Sequence, residues 1–350
     1  MSQFLDRQFQ QLTPYVPGEQ TQQQVIKLNT NENPYEPPQA VIEAARTAAK
    51  TLSRYSDPDG KQVVEPLAQH FNVQSENIFL GNGSDEVLSF LFEGFMEKGV
   101  QFPDISYGFY EVYSDLYHLQ AEKIPLAEDL SIDLTQYQGV ATVVIANPNA
   151  PTGLPIEPRV IIDFAKKNPQ RLIVVDEAYS DFGHVSMVPY LAEVPNVLVV
   201  GTFSKSRHLA GARLGYAVGS AELIADLNKL KFSHNPYSVN AMTLACGAAS
   251  LAEQAYVEAT TAKIIETREW TKQALRQLGF TGTDSQTNFV FVEHQQLAAE
   301  AIFLALKEKQ ILVRWFNQPR IANYLRISIG TQAEMEALVD TLKEIEGVIV

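Results

Sequence analysis

Between residues 77 and 218, short apolar runs alternate with longer amphipathic segments, and this alternation constrains the fold more than any other feature. The runs are 77–80, 141–146, 171–175, 197–201 and 214–218. Apolar runs of that length read as strands buried on both faces. Buried strands separated by helical segments build a mostly parallel sheet covered by helices on both faces, an α/β domain. In an open sheet of this kind ligands gather outside the carboxyl ends of the strands, so the residues after each run carry the chemistry.

The flanks read differently. Residues 1–37 are rich in Gln, Pro and Asn without periodicity and are expected to form an N-terminal arm that docks on the rest. Helical spacing begins at 38, and the large domain is assigned to 38–250. Residues 238–278 lack Pro and predict one long helix or two abutting ones, with Gly247 inside. Beyond them a strand (288–293), a helix (296–309), two strands (311–316 and 324–329) and a closing helix from 333 predict a smaller C-terminal α+β domain, 251–350.

Composition narrows the partners. The formal charge of −14 repels a phosphate backbone over most of the surface, which argues against nucleic acid. The lone Cys246 cannot form a disulfide within the chain, and the opening MSQFLDRQFQQ lacks a secretory pattern, so a cytoplasmic setting is expected. No apolar stretch approaches the ~20 residues of a membrane span. The six histidines show no ligand spacing, and no metal is expected.

The strand ends are specific. The run 77–80 leads into Gly81-Asn-Gly-Ser-Asp-Glu86 and a helical stretch, placing Gly83, Ser84 and Asp85 at a helix N-terminus where an anion would meet free amides; a plain Ser/Asp cap reads equally well from this segment alone. The same turn approaches the dinucleotide signature G-x-G-x-x-G, but Glu86 stands where the third glycine belongs. The run 141–146 leads into Asn147-Pro-Asn-Ala-Pro-Thr-Gly153. The run 171–175 leads into Asp176-Glu-Ala-Tyr179, and the run 197–201 into Thr202-Phe-Ser-Lys205, with Arg213 eight residues later. Asp176 would suit a helix cap or a cationic ring nitrogen. Lys205, between an apolar strand and a Gly-rich turn, has the setting of a nucleophilic amine rather than a solvated surface charge.

In this order the motifs resemble pyridoxal-phosphate-dependent aminotransferases of fold type I. Pro14-Tyr-Val-Pro-Gly18, Lys27-Leu-Asn-Thr-Asn-Glu-Asn-Pro-Tyr35 and Tyr324-Leu-Arg-Ile-Ser-Ile-Gly330 look like the histidinol-phosphate aminotransferase branch and extend the resemblance over essentially the whole chain. The resemblance implies that Lys205 bonds to the aldehyde of pyridoxal 5'-phosphate and then serves as general base and acid. It further implies that Asp176 pairs with the pyridine nitrogen and that Tyr179 hydrogen-bonds the ring hydroxyl. Ser84, Ser204, Arg213 and the amides around Gly83 and Ser84 would hold the phosphate, with Asp85 beside them among the cofactor-binding residues, and Tyr107 would stack on the ring. Tyr55 would reach the phosphate of a neighbouring subunit in a homodimer with shared active sites. Arg326, with Arg314 and Tyr15, would bind the acidic end of the small-molecule substrates, a structural salt bridge being the other reading of Arg326.

The chain departs from the pattern at Ala150, where the family has Asn before the PTG triplet, so Asn149 is expected to replace it or the contact is lost. The implied reaction converts L-histidinol phosphate and 2-oxoglutarate into imidazole-acetol phosphate and L-glutamate, as part of histidine biosynthesis. An aromatic-amino-acid aminotransferase is the enzymatic rival. A nicotinamide-dependent dehydrogenase and a non-catalytic regulator on the same fold are the others, the last lacking a basic module for nucleic acid.

Overall fold

The structure, a computed structural model, describes residues 2–20 and 25–349, so residues 1 and 21–24 of the expected arm lie outside the described residues. In chain order the elements are β1 (Ile26–Lys27), α1 (Gln39–Ala49), α2 (Lys61–Phe71), β2 (Ile78–Asn82), α3 (Gly83–Gly94), β3 (Val100–Pro103), α4 (Phe109–Leu116) and β4 (Ala121–Ile124). Then follow β5 (Thr142–Ala146), α5 (Pro158–Lys167), β6 (Ile173–Asp176), β7 (Val197–Thr202), β8 (Leu214–Val218), α6 (Ala221–His234), α7 (Ala241–Ala252) and α8 (Gln254–Gln277). The chain closes with β9 (Phe280–Gly282), β10 (Phe289–His294), α9 (Ala299–Glu308), β11 (Ile311–Leu312), β12 (Arg314–Trp315), β13 (Tyr324–Ser328) and α10 (Gln332–Ile349).

Seven strands form the main sheet in the order β2-β8-β7-β6-β5-β3-β4. The alternation of side chains along each strand separates two cores. Val143, Ile145, Ile173, Val175, Val197 and Val199 face one layer with α1, α2, α5 and α7. Val144, Val174, Leu198 and Val200 face the other, with α3, α4 and α6. Every residue of β5, β6 and β7 is buried, which explains why these runs lack polar alternation.

All neighbouring pairs from β4 to β7 are parallel, whereas β8 runs antiparallel to both β7 and β2. The reason is local. Only residues 203–213 connect β7 to β8, with no crossover helix to return the chain to the opposite edge. That short return brings Lys205 and Arg213 to the same end of the sheet.

The stretch 238–278 forms two helices that meet at Glu253, and Gly247 lies inside α7. There a Cβ would sit 2.4 Å from Leu214 Cδ2, so glycine is what allows α7 to rest on β8. The expected strand 311–316 is interrupted at Val313, giving β11 and β12. An antiparallel sheet, β12-β13-β10-β9, packs with α8, α9 and α10 around a separate core. The N-terminal segment crosses to this part of the chain, where β1 pairs in parallel with β11. No described helix is long and apolar enough to cross a membrane.

Candidate active site

A cavity of about 320 Å³ opens at the carboxyl ends of β5, β6 and β7. Its lining includes Ser84, Asp85, Tyr107, Asp176, Tyr179, Ser204, Lys205 and Arg213, eight residues drawn from segments up to 129 positions apart. Lys205 is half-buried, with its Nζ 5.7 Å from the centroid of the Tyr179 ring.

At one end of the cavity α3 presents its N-terminus. Gly83 adopts φ +76°, and a Cβ there would lie 2.5 Å from Arg213 Nη2. Gly215 is equally constrained, since its Cβ would lie 2.2 Å from the Ser84 amide nitrogen. The two glycines therefore let the helix tip seat against β8 and let the guanidinium lie across it. Arg213 Nη2 donates to Asp85 Oδ2 at 2.5 Å, and the Tyr107 hydroxyl donates to Asp85 Oδ1 at 2.8 Å. Free amides, a helix dipole, one guanidinium and the Ser84 and Ser204 hydroxyls make this end suited to an anion.

At the other side Asp176 terminates β6 and is 5% exposed. The Tyr110 hydroxyl donates to its Oδ2 at 2.9 Å and the Ala178 N–H to its Oδ1 at 3.2 Å. Burial pushes its carboxyl up to about 6, and these two donors oppose the rise. Its neighbour Glu177 points elsewhere, into the packing beneath the loop. It accepts from Ser186 Oγ at 2.5 Å and Met187 N at 2.6 Å, and burial pushes it up to about 8.

A second cavity, about 430 Å³, adjoins the first and shares Thr30, Tyr107, Ala150, Tyr179 and Lys205 with it. Tyr15, Arg314 and Arg326 line this part. Arg326 Nη2 donates to the Asn29 carbonyl at 2.9 Å, its Nε is buried without a partner, and its guanidinium lies over Phe289 and Phe316, 5.5 Å from each centroid. No described carboxylate forms a salt bridge with it, so the structural-salt-bridge reading of Arg326 is not what the fold provides.

Three expected site residues fall outside both linings: Gly83, whose place is under the Arg213 guanidinium, and Asn149 and Tyr55. Asn149 is buried, with Nδ2 donating to the Ile105 carbonyl and Thr152 Oγ1 and with Oδ1 accepting from Ser106 Oγ. Its amide is engaged by the 105–106 segment and by Thr152, and Ala150 occupies the cavity lining. Tyr55 is 83% exposed and stacks on Tyr237 at 4.5 Å between centroids, on the outer surface.

Other lining or supporting residues were not singled out from the sequence. Tyr110 is assigned by its contact with Asp176. Asn31 Nδ2 donates to the Tyr179 hydroxyl at 2.9 Å, a contact across 148 positions. Glu32 lines the cavity; burial works against its charge, but Lys27 and Thr30 hydrogen-bond it and hold it below the usual carboxylate range.

The geometry has close relatives. The family model "Aminotransferase class I and II" matches residues 23–342. The histidinol-phosphate aminotransferase of Chromohalobacter salexigens is 44% identical over 349 residues, 99% of each chain. That of Lactococcus lactis subsp. cremoris is 46% identical over 340 residues, 95% of each. A crystal structure of histidinol-phosphate aminotransferase from Sinorhizobium meliloti in complex with pyridoxal-5'-phosphate superposes with a TM-score of 0.90 at 26% identity, covering 100% of this chain and 99% of that one. With a lysine, a buried aspartate and a helix N-terminus gathered at the strand ends, and with relatives matched over nearly its full length, the chain belongs to the class I and II aminotransferases.

Proposed function

We propose that the chain is a histidinol-phosphate transaminase that uses pyridoxal 5'-phosphate and works as a homodimer. The observation that carries the cofactor is the presence in one cavity of Lys205 and a buried Asp176 whose hydrogen-bond donors are a neutral hydroxyl and a backbone amide. A carboxylate buried in that way suits a cationic ring nitrogen. The helix tip with Arg213, Ser84 and Ser204 suits a phosphate monoester, Tyr107 the ring face, and the Lys205 amine an aldehyde.

Bound there, pyridoxal phosphate supplies an aldehyde that captures amines and a cationic ring that withdraws electrons from the adjacent carbon. Lys205 Nζ holds the aldehyde and, when free, takes and returns the substrate's α-proton. Asp176 keeps the ring nitrogen protonated. Arg326 and Arg314 receive the acidic end of each substrate in turn, a phosphate from histidinol phosphate and a carboxylate from 2-oxoglutarate, and the unpartnered Arg326 Nε supports this role. Tyr15, Tyr107 and Phe316 supply the aromatic part of a lining that also carries Asn29, Asn31, Ser106 and Gln318.

A dimer is supported by the exposed Tyr55–Tyr237 pair, which belongs to loops tied beside the helix tip by Ser56 Oγ to the Val239 carbonyl and Asn82 Nδ2 to the Ser238 carbonyl. A cytoplasmic setting belongs to the same reading, supported by the lone, buried Cys246.

Visible absorption of the purified protein, before and after borohydride, tests the cofactor, and Lys205→Ala should lose both the band and turnover while remaining folded. The kcat/KM ratio of histidinol phosphate to phenylalanine tests the substrate; a preference for phenylalanine would assign the chain to the aromatic-amino-acid enzymes instead.

A further inference from the structure

The Tyr179 hydroxyl is hydrogen-bonded in one direction only. Asn31 Nδ2, 2.9 Å away, can donate and not accept, so the tyrosine oxygen is the acceptor. The orientation of the amide is fixed by its other end. Asn31 Oδ1 accepts from Ser328 Oγ at 2.9 Å, while the same serine oxygen accepts the Asn31 N–H at 2.8 Å. Flipping the amide would leave the serine proton without its buried acceptor. Asn31 is 1% exposed, its carbonyl accepts from Asn288 Nδ2 at 2.9 Å, and it sits at φ +55°, a conformation that suits Asn.

With its oxygen engaged by Asn31, Tyr179 has its proton left for the cavity that it lines together with Lys205 and Ala150. Position 150 offers no polar side chain there. We propose that Asn31 is a positioning residue that makes Tyr179 a one-way hydrogen-bond donor to an anionic oxygen on the ring of the bound cofactor, in place of a donor from position 150. This rests on the pyridoxal phosphate reading above. The charged and titratable groups facing Tyr179 are Lys205 over its ring, Arg326, and the Asp176–Tyr110 pair; Asn31→Gly adds no charge to this set, whereas Asn31→Asp adds a carboxylate.

Two substitutions test it. Asn31→Asp keeps the shape and the acceptor for Ser328 but turns the donor into an acceptor, drawing the Tyr179 proton away from the cavity. Asn31→Gly tolerates φ +55° and removes the amide altogether. The readouts are the dissociation constant for pyridoxal phosphate and the pH midpoint of the visible spectrum of the lysine-bound cofactor. Losing a donor to an anionic ring oxygen makes the adjacent nitrogen hold its proton more tightly, so the midpoint should rise by about one unit in both variants. The dissociation constant should increase several-fold. Tyr179→Phe should reproduce the rise, and adding Asn31→Gly, which brings no charge, to Tyr179→Phe should move the midpoint no further. An unchanged midpoint in both single variants, or an equal additional rise from Asn31→Gly in the Tyr179→Phe background, overturns the proposal. A wild-type protein that takes up pyridoxal phosphate without any visible band would overturn the cofactor reading itself, and this inference with it.

Discussion

At Asp176 two effects oppose each other. Burial favours the neutral carboxyl, while the Tyr110 hydroxyl and the Ala178 amide favour the carboxylate, and the outcome is a group pushed up to about 6. A cation bound beside it would tip the balance toward the charged form. Pyridoxal phosphate affinity should therefore weaken as pH falls below about 6 in a titration of the cofactor-free protein. Tyr110→Phe removes one of only two donors; a hydrogen bond to a charged group is worth about 1.5–3 kcal/mol, so affinity should fall roughly tenfold or more. The weakening should also begin at higher pH in that variant, and an unaltered titration would remove Tyr110 from the site. Arg326 is the second test at this scale. Truncation to Ala deletes a charge-assisted fork, and kcat/KM for histidinol phosphate should drop by roughly 100-fold with cofactor affinity retained. Unchanged kinetics would mean that the guanidinium serves only the Asn29 carbonyl and the two rings.

Among the elements, the end of β6 shows how a strand and its loop divide the labour. Adjacent carboxyls diverge because side chains alternate along a strand: Asp176 faces the cavity, and Glu177 turns under the loop to bind Ser186 and Met187. Glu177 is pushed up to about 8 from an ordinary 4.5, so between those values the folded chain keeps a proton that the unfolded chain has released. Stability from this group is thus greatest below about pH 4.5 and declines as pH rises through about 8. Glu177→Gln cannot ionise. The difference in urea stability between wild type and this variant should therefore shift against the wild type from pH 5 to pH 8, on the order of a few kcal/mol. An equal difference at both pH values would show that the carboxylate is already charged in the fold.

For the whole molecule, the site depends on three stretches of chain that are far apart in sequence. The sheet supplies Asp176, Lys205 and Arg213, the antiparallel C-terminal sheet supplies Arg326 on β13, and the segment 26–35 supplies Asn31 and Glu32 while pairing with β11. The remaining expected partner is a second copy. Light scattering should give a mass about twice 38.9 kDa, and Tyr55→Phe should lower pyridoxal phosphate affinity without changing that mass. A monomer retaining full activity would rule out the shared site.

Much of the arrangement is local and so readable from the chain. The fully apolar runs predict buried strands, the glycines at 81 and 83 predict a tight entry to a helix, and the residues after each run predict Lys205, Asp176, Ser84 and Arg213, because strand ends and helix tips are set by neighbouring residues. What tertiary structure alone decided is pairwise and long-range. The bonds of the Asn149 amide to residues 105 and 106, the hydroxyl of Tyr110 on Asp176 and the amide of Asn31 on Tyr179 each depend on which distant surfaces meet. A hydrogen bond across 66 or 148 positions leaves no periodic trace, since its energy depends on the distance between two atoms and not on their separation along the chain.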